Sequence, residues 1–378
     1  MKTIGLDMRM LGVSHGGIGR YCRELFPRIL ASDLSNRYLL FYNKNSADSG
    51  DLRIFEKYKN ASLIATGIRH YSLGEQLSFL RVLNKSNLDL VHFPNFNAPL
   101  FYKRPFVATI HDLVHHKIGG AKKSHYFQFL AYKKIIQNTA DQAKSLITVS
   151  EYSKKDIENF LQISPAKINV IYEGSSLDPD VPETAVAEVK KRYLLDNPYL
   201  LFVGVMERKK NLVNLTRGFD YFLQKHKVKL DLVIVGGADR HYPDIKHKAM
   251  DIKNSNRLAF LGFVLDEELR ALYKGAYAFV SASAHEGFGL PGVEALAFGL
   301  PLLVSNIEVF NEIYDNAGIY FNPFDPADIG EKIQLLARDS QFYEQIQRKS
   351  FERSQLFSWD RAAEETLHIY SQALNPKH

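Results

Sequence analysis

The stretch 281–305, SASAHEGFGLPGVEALAFGLPLLVS, decides how this chain is read. Just upstream, AFVSAS (278–283) has the character of a buried strand ending in small residues. Pro291 suits the first turn of a helix, where its missing N–H costs nothing, and Gly299 suits the left-handed cap behind that helix. Pro301 then opens the next apolar strand. Glu286 and the glycines after it therefore sit on a strand-to-helix loop, and Glu294 falls about one turn into the helix. A helix N-terminus preceded by glycines is an anion site, because N–H groups and the helix dipole both face the ligand. Two carboxylates are poor ligands for a phosphate but good acceptors for sugar hydroxyls. The stretch is suited to a phosphorylated sugar or a nucleotide sugar.

Outward from it, short apolar runs alternate with helical stretches, twice over. The first series begins with TIGLDMRM (3–10), a glycine loop GVSHGGIG (12–19) and the amphipathic RYCRELFPRIL. It continues through YLLFYN, ASLIAT, LDLVHF, FVATIHD, SLITVS and INVIYEG. The second runs YLLFVGV, LDLVIVGG, LAFLGF, AFVSAS, PLLVS and AGIYFN. Such alternation predicts α/β architecture with parallel sheets covered on both faces. The Ser-, Asp- and Pro-rich GSSLDPDVPE (174–183) is the best linker, so a domain boundary is expected near 175–195. Two Rossmann-like domains facing a central cleft would turn the carboxyl ends of both sheets toward one ligand.

At 378 residues the chain is long enough for two domains. No apolar run approaches the roughly 20 residues of a membrane span, and Asp7 and Arg9 interrupt the opening run, which speaks against a signal peptide. A single cysteine, Cys22, excludes an internal disulfide or a cysteine metal cluster and points to a reducing cytoplasm. The formal charge of +6 and pI near 9.0 favour anionic partners. Zinc-finger spacing, an RNA-binding aromatic signature and a long basic tail are all lacking, so no nucleic-acid partner is expected.

Four constellations remain, each with a plainer alternative. Gly16, Gly17 and Gly19 would let a diphosphate approach a helix start, or would simply make a tight β–α turn. Arg208, Lys209 and Lys210 in GVMERKKN (204–211) follow a strand, where they would stabilise a departing diphosphate or form a solvated basic turn. His111 ends a strand and can touch a ligand, with Asp112 to orient it. His115 and His116 raise the question of a metal, but no ligand pattern of metal type surrounds them and none is expected. The helix around 122–144 interleaves Lys122, Lys123, Lys133, Lys134 and Lys144 with aromatics. It would seat on an anionic bilayer or would be an ordinary helix with an aromatic core face.

Taken together, these residues resemble the retaining glycosyltransferases of family 4, which have the GT-B fold. The carrying motif is Glu286, seven residues, then Glu294, inside EGFGLPGVEALAFGLP. GGIGRY (16–21), TIHDL (109–113), TVSEYSKKDI (148–157) and KKN (209–211) follow in the right order over nearly the whole chain. The resemblance implies transfer from a nucleotide sugar with retained anomeric configuration, without a metal or other cofactor. It casts His111, Glu286, Lys210 and Arg208 as catalytic, with Lys210 the diphosphate lysine. Gly17, Gly204, Lys209, Phe288, Gly289, Leu290 and Glu294 would hold the donor, Glu294 at the ribose. The chain departs from the pattern at Val205, where many members carry arginine, so Arg208 or Lys209 takes that part.

The resemblance also implies an acceptor-side domain over 1–180 and a donor domain over 181–356, with FSWDRAAEETLHIYSQAL (357–374) returning to the first. GIGRY and TIHDL are similar to bacterial mannosyltransferases that use GDP-mannose in polysaccharide synthesis. A UDP-sugar remains open, because base discrimination needs few contacts. The expected acceptor is a glycan or lipid-linked glycan, and the expected location cytoplasmic, peripheral at the inner face of the cell membrane. Rivals are a sugar-nucleotide epimerase and an inactive glycan-assembly scaffold.

Overall fold

A computed structural model of the protein describes residues 1–12, 16–46, 49–113, 126–239 and 242–375. His115, His116, Lys122 and Lys123 lie outside the described residues. The chain divides into two compact units, one formed by Met1–Gly174 with Ser358–His378, the other by Ser175–Phe357. The cut falls at the start of the Ser-, Asp- and Pro-rich stretch, a few residues before the 180/181 expected from sequence.

The first unit holds a seven-stranded parallel sheet: β1 Thr3–Asp7, β2 Arg37–Asn43, β3 Ala61–Thr66, β4 Leu90–Phe93, β5 Phe106–Thr109, β6 Ser145–Thr148 and β7 Ile168–Val170. The spatial order is β3-β2-β1-β4-β5-β6-β7. Central strands are buried on both faces, as in β5, where Phe106, Val107 and Ala108 are followed by the buried, hydrogen-bonded Thr109. Gly5 at the centre of β1 leaves room for the Leu88 and Phe41 side chains, whose Cδ1 and Cε2 would stand 2.8 and 3.1 Å from a Cβ there. The order reverses between β1 and β4, so the loops after these strands diverge and open a crevice, the usual ligand position of such sheets.

The last helix, Trp359–Leu374, belongs to this unit, starting from Ser358, whose hydroxyl caps the Arg361 N–H. Arg28 reaches Asp360 at 3.0 Å, and Tyr21 meets Trp359 edge to face at 5.8 Å. Tyr370 puts its hydroxyl 2.6 Å from His92 Nδ1, while His92 Nε2 lies 2.8 Å from Thr109 Oγ1. Burial pushes the His92 imidazole down to about 3, which keeps it a neutral core residue.

The second unit holds β8 Tyr199–Val203, β9 Asp231–Val235, β10 Leu258–Gly262, β11 Ala278–Ser281, β12 Leu302–Ser305 and β13 Gly318–Phe321. These are parallel, in the order β10-β9-β8-β11-β12-β13, with the reversal between β8 and β11. Leu200, Phe202, Ile234, Val280 and Leu303 lead a core that the helices Leu212–Lys225 and Pro326–Arg338 cover. Gly236 is fixed by contact: a Cβ would lie 2.0 Å from the Gly204 carbonyl oxygen. Among the described residues no helix is long and apolar enough to cross a membrane.

Candidate active site

In the second unit the reversal brings together the two loops that sequence reading singled out separately. Residues 208–210 form one 3-10 turn after β8, and Asn211, in left-handed geometry at φ 53°, starts the next helix. The loop after β11 is stitched to it by a backbone bond from the Ala284 N–H to the Lys209 carbonyl, 2.7 Å. That bond sets Lys210 Nζ 2.6 Å from Glu286 Oε1, with both side chains largely shielded, 14% and 10% exposed. Burial alone would raise the Glu286 carboxyl. Lys210 and Lys209, with hydrogen bonds from Lys210 and Ser283, outweigh it and hold the group below its ordinary value. Lys209 lies 3.4 Å from Glu207. Arg208 is exposed and makes no ion pair among the described residues.

The helix Leu290–Ala297 follows, with Pro291 in its first turn and Gly289 before it at φ 101°. Its start rests on the fully buried Tyr314, whose hydroxyl donates to the Gly289 carbonyl at 2.7 Å. Gly289 and Gly292 are obligatory, since a Cβ on either would come within 2.2 Å of the Tyr314 oxygen. Glu294 is buried at 3% exposure and takes a hydrogen bond on Oε2 from the Tyr273 hydroxyl, 3.1 Å. Phe288 turns its ring inward against Phe357, 5.8 Å, leaving its backbone rather than its ring for a ligand. Gly204 lies beside Lys210, 3.5 Å separating its would-be Cβ from Lys210 Cε.

The remaining predicted residues belong to the first unit. The glycines expected as a loop are the first turn of the helix Gly16–Ser32. Gly19 is the one required by close approach, 2.4 Å from the Gly12 carbonyl oxygen to its would-be Cβ, whereas Gly17 faces open space. His111 lies two residues beyond β5. Asp112 was expected to orient it, but the observed partners are Glu173 Oε1, 3.3 Å from Nδ1, and the Pro94 carbonyl, 3.0 Å from Nε2. Burial would lower the imidazole, yet the hydrogen bond and charge of Glu173, helped by the Pro94 carbonyl and the nearby charge of Asp112, outweigh it and raise the group. A protonated ring donates to both partners, so a ligand meeting either nitrogen must replace one of these bonds.

Sequence reading missed Glu173, Ser283, Tyr273 and Tyr314. It also missed a buried ion triad in which Arg9 Nη2 lies 2.7 Å from both Asp7 Oδ2 and Glu75 Oε1. Only the signal for Glu173 was at hand, as a carboxylate ending the INVIYEG run. Among the described residues no three His, Cys, Asp or Glu side chains gather as a metal site would need.

Residues 15–178 match the family Glycosyltransferase Family 4, and residues 187–353 match Glycosyl transferases group 1. O-antigen chain mannosyltransferase B of Escherichia coli is 26% identical, covering 94% of this chain and 95% of that protein. O-antigen chain mannosyltransferase RfbU of Salmonella typhimurium is 31% identical over 65% of this chain and 64% of its own length. The solved structure of HepE from Anabaena in complex with UDP-glucose superposes with a TM-score of 0.77 at 17% identity, over 98% of this chain and 100% of that one. The two parallel-sheet units and the two consecutive family matches make this chain a glycosyltransferase with GT-B domains, a family 4 domain followed by a group 1 domain.

Proposed function

We propose that the protein moves a hexosyl group, mannose from GDP-mannose, onto a glycan or lipid-linked glycan during polysaccharide synthesis, with retained anomeric configuration and no metal. The observation that carries this reading is the Lys210–Glu286 pair at the reversal of the second sheet. A cation and a carboxylate held 2.6 Å apart match the two ends of a nucleotide sugar's reacting bond. The diphosphate would draw Lys210 away from Glu286, and Glu286 would turn to the donor sugar's hydroxyls. Backbone groups at Phe288, Gly289 and Leu290 would meet phosphate oxygens, and Glu294 would accept the ribose hydroxyls. Lys209 and Arg208 would add positive charge as the leaving group forms.

In the reaction the bond from the anomeric carbon to the diphosphate oxygen breaks, and the acceptor oxygen bonds to that carbon on the same face. A diphosphate oxygen takes the acceptor's proton, so no enzyme carboxylate need become a covalent nucleophile. The mannosyltransferase relatives support the sugar. The UDP-glucose complex of HepE supports a second donor class, UDP-hexose. A lipid-carried acceptor would bring this chain of net charge +6 to an anionic membrane surface.

The test is thermal unfolding with GDP, UDP, ADP and their sugars, with and without EDTA. A ligand at about 100 times its dissociation constant stabilises the native state by roughly 2.7 kcal/mol. Stabilisation by GDP-mannose that survives EDTA is the expected result. Stabilisation by UDP compounds alone would transfer the assignment to a UDP-hexose, and none with any nucleotide would overturn it.

A further inference from the structure

The place where the chain leaves the first unit is fastened by a closed circuit of contacts. The unit ends at Gly174 and resumes at Ser358. Just before the exit, Glu173 Oε1 lies 3.3 Å from His111 Nδ1, with both side chains largely shielded. The His111 ring meets Tyr21 edge to face at 4.8 Å, and Tyr21 meets Trp359 in the same way at 5.8 Å. Trp359 closes the circuit against Gly174, where a Cβ would stand 2.4 Å from the Trp359 nitrogen. The exit and the re-entry are therefore packed on each other, and His111 is tied to both.

Most of this circuit is packing, which does not respond to pH, but the Glu173 contact does. Glu173 faces Nδ1 and the Pro94 carbonyl faces Nε2 at 3.0 Å, so both nitrogens meet acceptors. A doubly protonated ring donates to both. A neutral ring has one N–H for two acceptors and must release one of them. The other groups around the ring favour the proton or leave it alone. Asp112 adds negative charge from the adjacent position. From the helix Gly16–Ser32, Tyr21 brings a hydroxyl engaged with Thr109 at 3.1 Å and kept neutral by burial. His92, 6.5 Å from the Tyr21 ring, is neutral as well. Ser153 donates to the His111 carbonyl at 3.0 Å and carries no charge.

We propose that Glu173 and His111 form a proton-operated clasp on the segment by which the chain leaves the first unit, closed while the imidazole is protonated and slack once it is neutral. The segment has backbone holds on either side. The Ile171 N–H donates to the Thr148 carbonyl at 2.8 Å, and Arg270 takes the carbonyls of Asp178 and Asp180 at 2.8 and 2.7 Å. Between them the Leu177 N–H reaches the Ser175 hydroxyl at 3.3 Å, a turn local to the segment. Glu173 is the carboxylate that fastens this span to His111, beyond the end of β5. The clasp's contribution is complete below the ordinary histidine value of about 6.5 and is lost as pH rises through the raised folded value. No donor, acceptor or reaction step enters the clasp, so it stands or falls apart from the proposed function.

The experiment is a pH series on the full chain with two readouts, NMR of the His111 ring (assigned with His111→Gln) and hydrogen–deuterium exchange of the peptide 168–177. After correction for the intrinsic rate, protection in that peptide should fall about three- to tenfold, the scale of one lost hydrogen bond. The midpoint of the fall should coincide with the His111 titration. The β9 peptide 231–235, in the second unit, should show no step there. Glu173→Gln should lower the His111 midpoint and abolish the step. Protection that stays level through the His111 midpoint overturns the clasp, as does a step shared with β9 or one that survives in Glu173→Gln. A ring already neutral at about pH 6 overturns it too. If Glu173→Gln does not fold, the wild-type series decides alone, by whether the exchange step and the ring titration coincide.

Discussion

The two sheet reversals share a topology and differ in charge. In the second unit Lys209 faces Glu207 and Lys210 faces Glu286, with Arg208 exposed beside them, and the Lys210–Glu286 pair keeps some contact with water. In the first unit one guanidinium faces two carboxylates, and Arg9 and Glu75 have no exposed side-chain surface. A largely shielded pair that still touches water, with surplus cations beside it, can exchange its carboxylate for a phosphate. A sealed triad with surplus carboxylate cannot, and works as a frame for its neighbours. One architecture thus carries two oppositely balanced charge clusters, which is a matter of loops and not of fold.

The sharpest way to break that contrast is at Lys210. Lys210→Ala should lower turnover at saturating donor by about 10²-fold or more, the usual scale for one preorganised contact to developing charge. Nucleotide release measured under transfer conditions checks it. A near-normal rate would take anion handling away from this loop and erase the difference between the reversals. Gly292→Ala tests the frame behind the same loop. The added methyl would meet the Tyr314 oxygen at 2.2 Å and its Cζ at 2.4 Å, inside a core with no room to yield. The expected loss is about 1–3 kcal/mol in urea unfolding, as for other overpacked cores. Unchanged stability would mean that Tyr314 moves freely and that the helix start is not held by it.

The strands were legible because parallel strands buried on both faces leave continuous apolar runs, and YLLFVGV and LDLVIVGG are nothing else. Pro291 and Gly299 marked their helix for reasons of backbone chemistry. Lys210 and Glu286 were each visible, but their pairing depends on β8 lying beside β11, which no local pattern encodes. The same blindness explains Asp112. Sequence shows adjacency along the chain, so the neighbour of His111 was chosen as its partner, whereas the carboxylate that reaches the ring comes from the end of the β7 run. Arg9 and Glu75, 66 residues apart, were invisible for this reason. Tyr71, left-handed at φ 55°, carried no warning either, since such positions are read from glycine or asparagine and this one is a tyrosine.

A smaller effect separates the two kinds of ion pair by pH. Because Glu173 raises the His111 imidazole, the pair's stabilisation is complete below the ordinary histidine value of about 6.5. It is lost as pH rises through the raised folded value. Glu173→Gln should therefore cost about 1.5–3 kcal/mol near pH 6, the range for a hydrogen bond to a charged group, and clearly less once pH has risen past the folded histidine value. A loss that does not change with pH would show that His111 stays neutral and that Glu173 is an ordinary buried acceptor.

Arg208 gives the finest discrimination, within a single loop. It stands two residues before Lys210 on the same 3-10 turn, but exposed, and without an ion pair among the described residues. A solvated cation is screened by water and salt, so its pull on a bound diphosphate is a fraction of that of a shielded one. Arg208→Ala should raise the donor KM about threefold or less, and added salt should shrink even that difference. Steady-state kinetics at two ionic strengths measure it. A loss of tenfold or more, insensitive to salt, would mean that Arg208 folds onto the donor and becomes shielded there. The roles in the triplet would then be exchanged, with Lys210 serving to hold Glu286 and Arg208 carrying the leaving group's charge.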